Sequence, residues 1–468
     1  MNRRNFLKQA GVVAGVTTVA TTGGLVSCKK RQQKRPNILV IMTDQQTADA
    51  MSCVDSKLFK TPAMDRIVEA GKLIKKAYCS TPLCIPSRSS MFTGLYPHEI
   101  NVAINDPGAQ WDKDKFPYLG RIMKAGGYDT GYVGKWHLTT DPKDISKHGF
   151  DYIKHARNND LDPDVPASTI SFLEKERDKP FMLVSSFVNP HDICQWARGD
   201  AMRNDEIPNV PSPKDCPELP SNFEIPALEP EMIRTQQLLS SRTYPTVSWD
   251  DDRWRQYRWA YAQLVEKVDQ HIQKIVDALD QLSLWDDTVI FFTSDHGDGN
   301  GCHKWNQKQV LYDEVARVPF SVTWKGNITP GTIETTAVSS GIDLIPTILD
   351  YAQIDQPNYM KGSSVRALVE DKSSDFRKYT VVETDFCNMT KRFGVRGRAV
   401  ISGNYKLIIY DVGKVRLQLF DMSKDPGEMT NLAYLPENRA VVDEYLEYLK
   451  EWKVQTKDDF DFVFTDLA

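Results

Sequence analysis

Three runs of apolar residues rich in β-branched types constrain the fold of this chain more than any other feature. They are Asn37-Ile38-Leu39-Val40-Ile41-Met42, Phe181-Met182-Leu183-Val184-Ser185-Ser186-Phe187-Val188 and Thr288-Val289-Ile290-Phe291-Phe292-Thr293. Polar residues do not alternate through them, so each predicts a strand buried on both faces. A fourth run spans residues 318–324 and a shorter one lies within 128–138. Helical spacing of apolar residues separates them: Ile67, Val68, Ala70 and Leu73 within 62–76, Val265, Val268, Ile272 and Ile275 within 254–282, and Ile342 to Leu349 within 342–352. Buried strands alternating with helices predict an α/β fold, a large mostly parallel or mixed sheet sandwiched by helices. The tail differs. Short strands at 379–385, 399–410 and 417–420, a turn at Gly403-Asn404 and a closing helix at 437–453 predict a smaller C-terminal subdomain of antiparallel sheet plus helix. The expected division is 36–375 for the larger domain and 376–468 for the smaller.

Chemistry gathers at the carboxyl ends of the predicted strands, where open α/β sheets bind ligands. Asp44 and Gln45 follow the run at 37–42, Lys135 and His137 lie at the end of the short run within 128–138, His191 follows the run at 181–188, and Asp295 and His296 follow that at 288–293; His303 and Lys308 lie downstream. Hard oxygen ligands collected from several strand ends suit a divalent cation such as calcium. Taken singly, an Asp at a strand end is as well explained as a turn residue. Cys84-Ile85-Pro86-Ser87-Arg88 places a Cys just ahead of a predicted helix start, with Pro86 in the first turn and Gly94 and Pro97 as stops. Amide donors at a helix start favour an anion, and the planar fork of Arg88 suits a tetrahedral oxyanion.

The Cys-x-Pro-Ser-Arg segment running into Thr93-Gly94 closely resembles the signature of the type I, formylglycine-dependent sulfatases of the alkaline-phosphatase-like superfamily. Gly134-Lys135-Trp136-His137, Pro190-His191, Ser294-Asp295-His296-Gly297 leading to Lys308, and Asp425-Pro426-Gly427-Glu428 extend the resemblance in the family's order. It implies that a maturation enzyme oxidises Cys84 to formylglycine, whose hydrated aldehyde is the nucleophile. It implies metal ligands at Asp44, Gln45, modified Cys84, Asp295 and His296. Arg88, Lys135 and His137 attend the modified residue and the charge formed on it. His191 and Lys308 hold the sulfate, one of them protonating the leaving oxygen, and His137 takes the proton that releases sulfate. His303 belongs either to the metal-bearing loop or to the structural frame.

The familiar arylsulfatase pattern has Asp-Asp at Asp44-Gln45 and often Asp-Asn at Asp295-His296. The variant here also resembles choline sulfatases and phosphonate monoester hydrolases, which admits manganese beside calcium and a phosphonate or phosphate monoester beside a sulfate ester. The resemblance implies a sulfuric ester hydrolase acting on sulfated carbohydrate, as glycosaminoglycan or algal polysaccharide fragments. A non-catalytic carbohydrate-binding relative is the alternative of another class. Residues 195–250, rich in Pro, Asn, Asp and Ser, predict a long surface excursion. With Trp196, Trp254 and Trp259 it either shapes a sugar subsite or packs.

The remaining sequence concerns compartment and partners. The chain has 468 residues and a net charge of -5, which argues against nucleic acid as a partner. Of its eight cysteines no two form a Cys-x-x-Cys pair, so a zinc ribbon or thioredoxin-type site is not expected. Residues 1–28 read as an export segment: Arg3-Arg4 resembles a twin-arginine signal, and Leu25-Val26-Ser27-Cys28 resembles a lipobox that would lipidate Cys28. Residues 29–35 read as a basic tether. The expected location is the periplasm or cell surface, with membrane contact only through a lipid anchor.

Overall fold

The structure is a computed structural model that describes residues 35–462 except 56, 156–160, 205, 208 and 389. The expected export segment, Cys28 and the tether through Lys34 lie outside the described residues. The strands, in chain order, are β1 (Asn37–Asp44), β2 (Lys72–Ile74), β3 (Ala77–Tyr78), β4 (Asp129–Gly134), β5 (Tyr152–Lys154), β6 (Phe181–Pro190) and β7 (Thr288–Ser294). They continue with β8 (Phe320–Thr323), β9 (Thr332–Glu334), β10 (Val338–Ser339), β11 (Thr380–Asn388), β12 (Lys391–Ser402), β13 (Tyr405–Tyr410) and β14 (Leu417–Asp421).

Eight of them form one sheet in the order β5-β4-β6-β1-β7-β8-β2-β9. β1 pairs in parallel with β6 on one side and β7 on the other, Ile38 standing opposite Met182 and Val289. Only β8 runs against its neighbours β7 and β2. Alternation along β1 then divides its side chains between two cores. Leu39 and Ile41 join the helices Pro62–Glu69, Asp164–Leu173 and Asp251–Gln281 on one face. Ile38, Val40 and Met42 join Cys84–Thr93, Leu119–Ala125 and Leu344–Ala352 on the other. The unbroken apolar runs are the sequence trace of a sheet covered on both faces.

β11 to β14 form a separate antiparallel sheet. One of its faces, with Val382, Ala399 and Ile408, packs against Tyr78, Tyr312 and Val315 of the larger part. The other, with Val400, Leu407 and Leu419, is covered by Val442, Leu449 and Trp452 of the closing helix Arg439–Thr456. The boundary expected at 375–376 falls just ahead of β11.

Three local expectations differ from the structure. The helix expected over 62–76 ends at Glu69, and Lys72–Ile74 is a strand. Gly71 lets the chain pass the β8 backbone so closely that a Cβ there would sit 2.3 Å from the Val322 carbonyl oxygen. Leu73 fits either period, and pairing with β8 and β9 decides for the strand. The tail strand expected over 379–385 continues to Asn388, and β12 begins at Lys391, ahead of the expected 399, because the two extend each other as a long hairpin. The excursion at 195–250 is not purely surface. It contains the helices Ile193–Arg198 and Glu231–Leu239 and buries Ile207, Phe223, Ile233 and Tyr244.

Asp269 ties the helix of the first βαβ crossover to the long helix beneath it. From Asp251–Gln281 its carboxylate accepts the Met64 amide at 2.8 Å and the Ala63 amide at 3.2 Å, satisfying donors that a helix start leaves open. Burial outweighs these two donors and pushes the carboxyl up to about 7. A folded-state value raised above the unfolded one means that the folded protein holds the extra proton between about pH 4 and pH 7. Asp269 therefore contributes stability at low pH that is lost as pH rises through this window. Asp269→Asn is expected to flatten the fall of the urea midpoint between pH 4 and pH 7; an unchanged slope would assign the pH dependence to other groups.

Candidate active site and metal centre

The parallel order β4-β6-β1-β7 sets four strand ends side by side, and each delivers part of one cluster. β1 delivers Asp44, β7 delivers Asp295 followed by His296, β4 runs into Lys135 and His137, and β6 runs into His191. Cys84 comes from outside the sheet as the first residue of the helix Cys84–Thr93, rather than from the loop before it. The helix stops where expected, at Gly94 in the left-handed conformation (φ 73°).

Arg88 holds the two carboxylates. Its Nε donates to Asp295 Oδ2 at 2.8 Å and its Nη2 to Asp44 Oδ2 at 3.0 Å. Its Nη1 donates to the Lys135 carbonyl and to Ser186 Oγ, both at 3.0 Å. All three charged side chains are 0% exposed. Sequence reasoning assigned Arg88 to the modified residue and its oxyanion; its side chain hydrogen-bonds Asp44, Asp295, the Lys135 carbonyl and Ser186, and it also sits near Cys84 as a positive charge. Lys135 Nζ adds an ion pair to Asp44 Oδ2 at 2.6 Å. Burial opposes ionisation of Asp44, but Lys135, His191 and Arg88 hold its carboxyl well below the usual range. Burial and the Asp44 charge push Asp295 up to about 6, despite the amides of Gln45 and His296 on its Oδ1.

Around the nucleophile position, Lys308 Nζ donates to Cys84 Sγ at 2.9 Å, and His296 Nε2 lies 3.1 Å from the same sulfur. His137 and His191 also hydrogen-bond Cys84. Burial and the Asp44 charge raise the Cys84 thiol, but Lys308, His296 and Lys135 outweigh them and hold it well below its usual value. Burial pushes His137 down, and burial followed by Lys135 and Lys308 pushes His191 well down.

Asp44, Cys84, Asp295 and His296 are all buried, and their ligand atoms lie within 4.8 Å of one another. These residues fit a divalent cation: two carboxylates stand side by side around Arg88, and the His296 imidazole brings Nε2 to 3.9 Å from Asp295 Oδ1. Gln45, expected in the same set, turns its carboxamide elsewhere. Nε2 donates to Asp298 Oδ2 at 2.7 Å, and Oε1 accepts from Cys194 at 3.4 Å. A second group of ligand-type side chains, His303 with Glu314 and Glu428, lies apart from this cluster; His303 stacks on Tyr312 at 3.9 Å as part of the frame.

Several residues escaped the sequence reading. Asp298 accepts from Gln45 and from Tyr257, whose hydroxyl lies 3.0 Å from both its oxygens. Asp162 accepts the Val188 and Asn189 amides at 2.6 and 2.9 Å, fixing the end of β6 ahead of His191. Ser87 Oγ donates to the Asp295 carbonyl at 2.6 Å. Ser87 and Asp298 stand within motifs already singled out, so position was a signal; Asp162 carries none. Of the tryptophans, Trp254 is buried against Phe223, Trp249 and Tyr257, Trp259 packs on the core, and half-buried Trp196 lies under Arg253. Each described cysteine is free.

The sheet, the strand-end acids and the helix-borne nucleophile position define a hydrolase of the alkaline-phosphatase-like fold. Comparison with known proteins makes this specific. The model of the Sulfatase family matches residues 36–354, and that of the N-sulphoglucosamine sulphohydrolase C-terminal region matches 301–455. The chain belongs to the sulfatase family and is a sulfuric ester hydrolase. It is 27% identical to an N-acetylglucosamine-6-O-sulfatase of Bacteroides thetaiotaomicron over 93% of this chain and 90% of that one. It is also 27% identical to a Delta 4,5-hexuronate-2-O-sulfatase of the same organism, covering 93% of each. The solved structure of a 2-O GAG sulfatase superposes with a TM-score of 0.80 at 25% identity, covering 91% of this chain and 93% of that one. A phosphonate monoester hydrolase of Agrobacterium radiobacter shares the fold at 20% identity, with a TM-score of 0.72 over 90% of this chain and 96% of that one.

Removing Arg88 would leave Asp44 and Asp295 facing each other without their shared cation. Uncompensated buried charge of this kind costs about 3–5 kcal/mol. Arg88→Ala is expected to lower stability by that amount in metal-free protein, read from the urea midpoint. A wild-type midpoint would show that the carboxylates are neutralised without the guanidinium.

Proposed function

We propose that this protein hydrolyses sulfate esters on carbohydrate, of the kind found in glycosaminoglycan or algal polysaccharide fragments, with Cys84 converted to formylglycine. The observation that carries the reading is the setting of Cys84 Sγ: at a helix start, 2.9 Å from Lys308 Nζ, 3.1 Å from His296 Nε2 and 3.9 Å from Asp44 Oδ1. Both Bacteroides relatives named above are sulfatases of sugar residues.

Asp44, Asp295, His296 and the modified Cys84 would hold the metal, with Gln45 alongside. Calcium suits the oxygen donors, and manganese also accepts the imidazole. The bound cation would supply Lewis-acid polarisation of a sulfuryl oxygen, and formylglycine would supply a hydrated-aldehyde hydroxyl as nucleophile. The chain's own side chains do the rest. Arg88 and Lys135 keep Asp44 ionised and oriented. Lys308, and Lys135 through its charge, face the negative oxygens of the sulfuryl group, a fixed field in a site closed to bulk water. His137 accepts a proton at the position of Cys84 Sγ. His191 or Lys308 delivers a proton to the departing sugar oxygen. Elemental analysis of protein from its native host identifies the metal, and a chain free of calcium and manganese would refute that assignment. Arg3-Arg4 and Cys28 support export and a lipid anchor, checked by whether Cys28→Ala abolishes labelling with a radioactive fatty acid.

A set of variants tests the catalytic assignments on two substrates, an aryl sulfate with a good leaving group and a sugar sulfate with a poor one. Cys84→Ser is expected to fold but lose steady-state turnover on both by at least about 10³-fold, the scale of a missing nucleophile function. The Cys84 peptide of the wild type should carry the mass of formylglycine. The residue that protonates the leaving oxygen should lose about 10²–10⁴-fold on the sugar sulfate and far less on the aryl sulfate. His191→Ala and Lys308→Ala are therefore compared, and equal losses on both substrates for both variants would remove the general-acid role from each. Full turnover by Cys84→Ser, or preference for phosphonate and phosphate esters over every sulfate ester, would overturn the proposed function.

A further inference from the structure

A polar pocket of about 330 Å³ flanks the segment that leads into Cys84, and none of the catalytic assignments uses it. Its walls come from both parts of the chain. Thr81, three residues before Cys84, lines one side, and Thr384 and Asp385 of β11 line the other. The pocket is tied to the catalytic loop by hydrogen bonds. Thr384 Oγ1 donates to the Gln309 carbonyl at 2.6 Å, the Gln309 amide donates to the Pro82 carbonyl at 3.0 Å, and Gln309 adjoins Lys308.

The charges in the walls are already compensated. Arg398 pairs with Asp458 at 2.8 Å, Arg396 with Asp459 at 2.6 Å, and His98 with Glu383 at 2.6 Å. A further anion entering here meets little unpaired positive charge apart from the exposed Lys457 at the rim. One pair is looser. Arg392 Nη1 lies 3.3 Å from Asp385 Oδ2, Arg392 is 47% exposed, and Asp385, though 6% exposed, leaves Oδ1 without a hydrogen-bond partner. The ladder between β11 and β12 slips between Asp385 and Cys387, a bulge of the kind that re-aims side chains beside active sites. An acceptor carboxylate and a donor guanidinium standing together match a ligand whose groups both donate and accept, namely adjacent hydroxyls. The volume is at the small end of ligand sites, which run from about 300 to 1,000 Å³, and suits one sugar ring.

We propose that this pocket is a sugar subsite in which Asp385 and Arg392 bind adjacent hydroxyls of one uncharged pyranose of the substrate. The inference rests on the carbohydrate reading above and deepens it: the ring held in this pocket is neutral, not a uronate.

Binding of sulfate-free glycosides tests the subsite independently of turnover. Methyl β-galactoside, methyl N-acetyl-β-glucosaminide and methyl β-glucuronide are titrated into the full protein and followed by saturation-transfer NMR. At least one neutral glycoside is expected to bind, with affinity at least about tenfold weaker in Asp385→Ala and in Arg392→Ala, as loss of a hydrogen bond to a charged group implies. Melting temperatures confirm that the variants fold, and Asp385→Asn replaces the alanine variant if it does not. No binding by either neutral glycoside, binding of the glucuronide alone, or neutral binding untouched by both substitutions each overturns the subsite. Aryl-sulfate hydrolysis by the wild type separates the two readings. Turnover without glycoside binding removes only the subsite, and glycoside binding without sulfate-ester hydrolysis removes only the catalytic reading.

Discussion

The arrangement depends on one buried guanidinium. Arg88 lies between Asp44 at the end of β1 and Asp295 at the end of β7, and each of the three side chains is fully enclosed. Two carboxylates in that position repel each other and lose their hydration, so the strand ends can sit side by side only with a cation between them. Arg88 does this from a helix that also carries Cys84, four residues earlier. One turn of helix thus sets the register between Cys84 and the two carboxylates. One guanidinium stands against two carboxylates, and burial followed by the Asp44 charge pushes the Asp295 carboxyl up to about 6.

Parallel strand order supplies the rest. Because β4, β6, β1 and β7 are adjacent and run the same way, four segments far apart in sequence release their polar ends into one place. Three of those ends are held from behind: Asp162 on the end of β6, the Tyr132 hydroxyl on the Lys135 carbonyl, and Asp298 on Gln45. Such supports limit the freedom of the side chains they orient, which is how a site keeps its geometry without substrate. The antiparallel sheet then closes one flank. β11 hydrogen-bonds Gln309, the residue next to Lys308, so the smaller part is tied to the segment that carries that lysine.

Much of this was legible from residue order. Unbroken apolar runs mark strands buried on both faces, and polar residues immediately after them mark the carboxyl edge. That reasoning located Asp44, Lys135, His137, His191, Asp295 and His296, and the Cys84 motif carried its own helix-start grammar. The misreadings share a cause. Leu73 satisfies a helical period and a strand period alike, and residues 195–250 have surface composition yet bury Phe223 and Tyr244 under neighbours remote in sequence.

By itself the sequence determined the layered α/β class, the strand-end chemistry and the motif that carries the nucleophile position, because these depend on local pattern: period, capping and the identity of residues next to a strand. Only the tertiary structure decided what the polar groups face. It turned the Gln45 carboxamide to Asp298 and Cys194, gave Arg88 to two carboxylates, packed Trp254 into the core, and brought Asp385 and Arg392 beside the catalytic loop. Side-chain direction and partner choice are fixed by contacts between segments hundreds of residues apart, and burial gives those contacts their electrostatic strength.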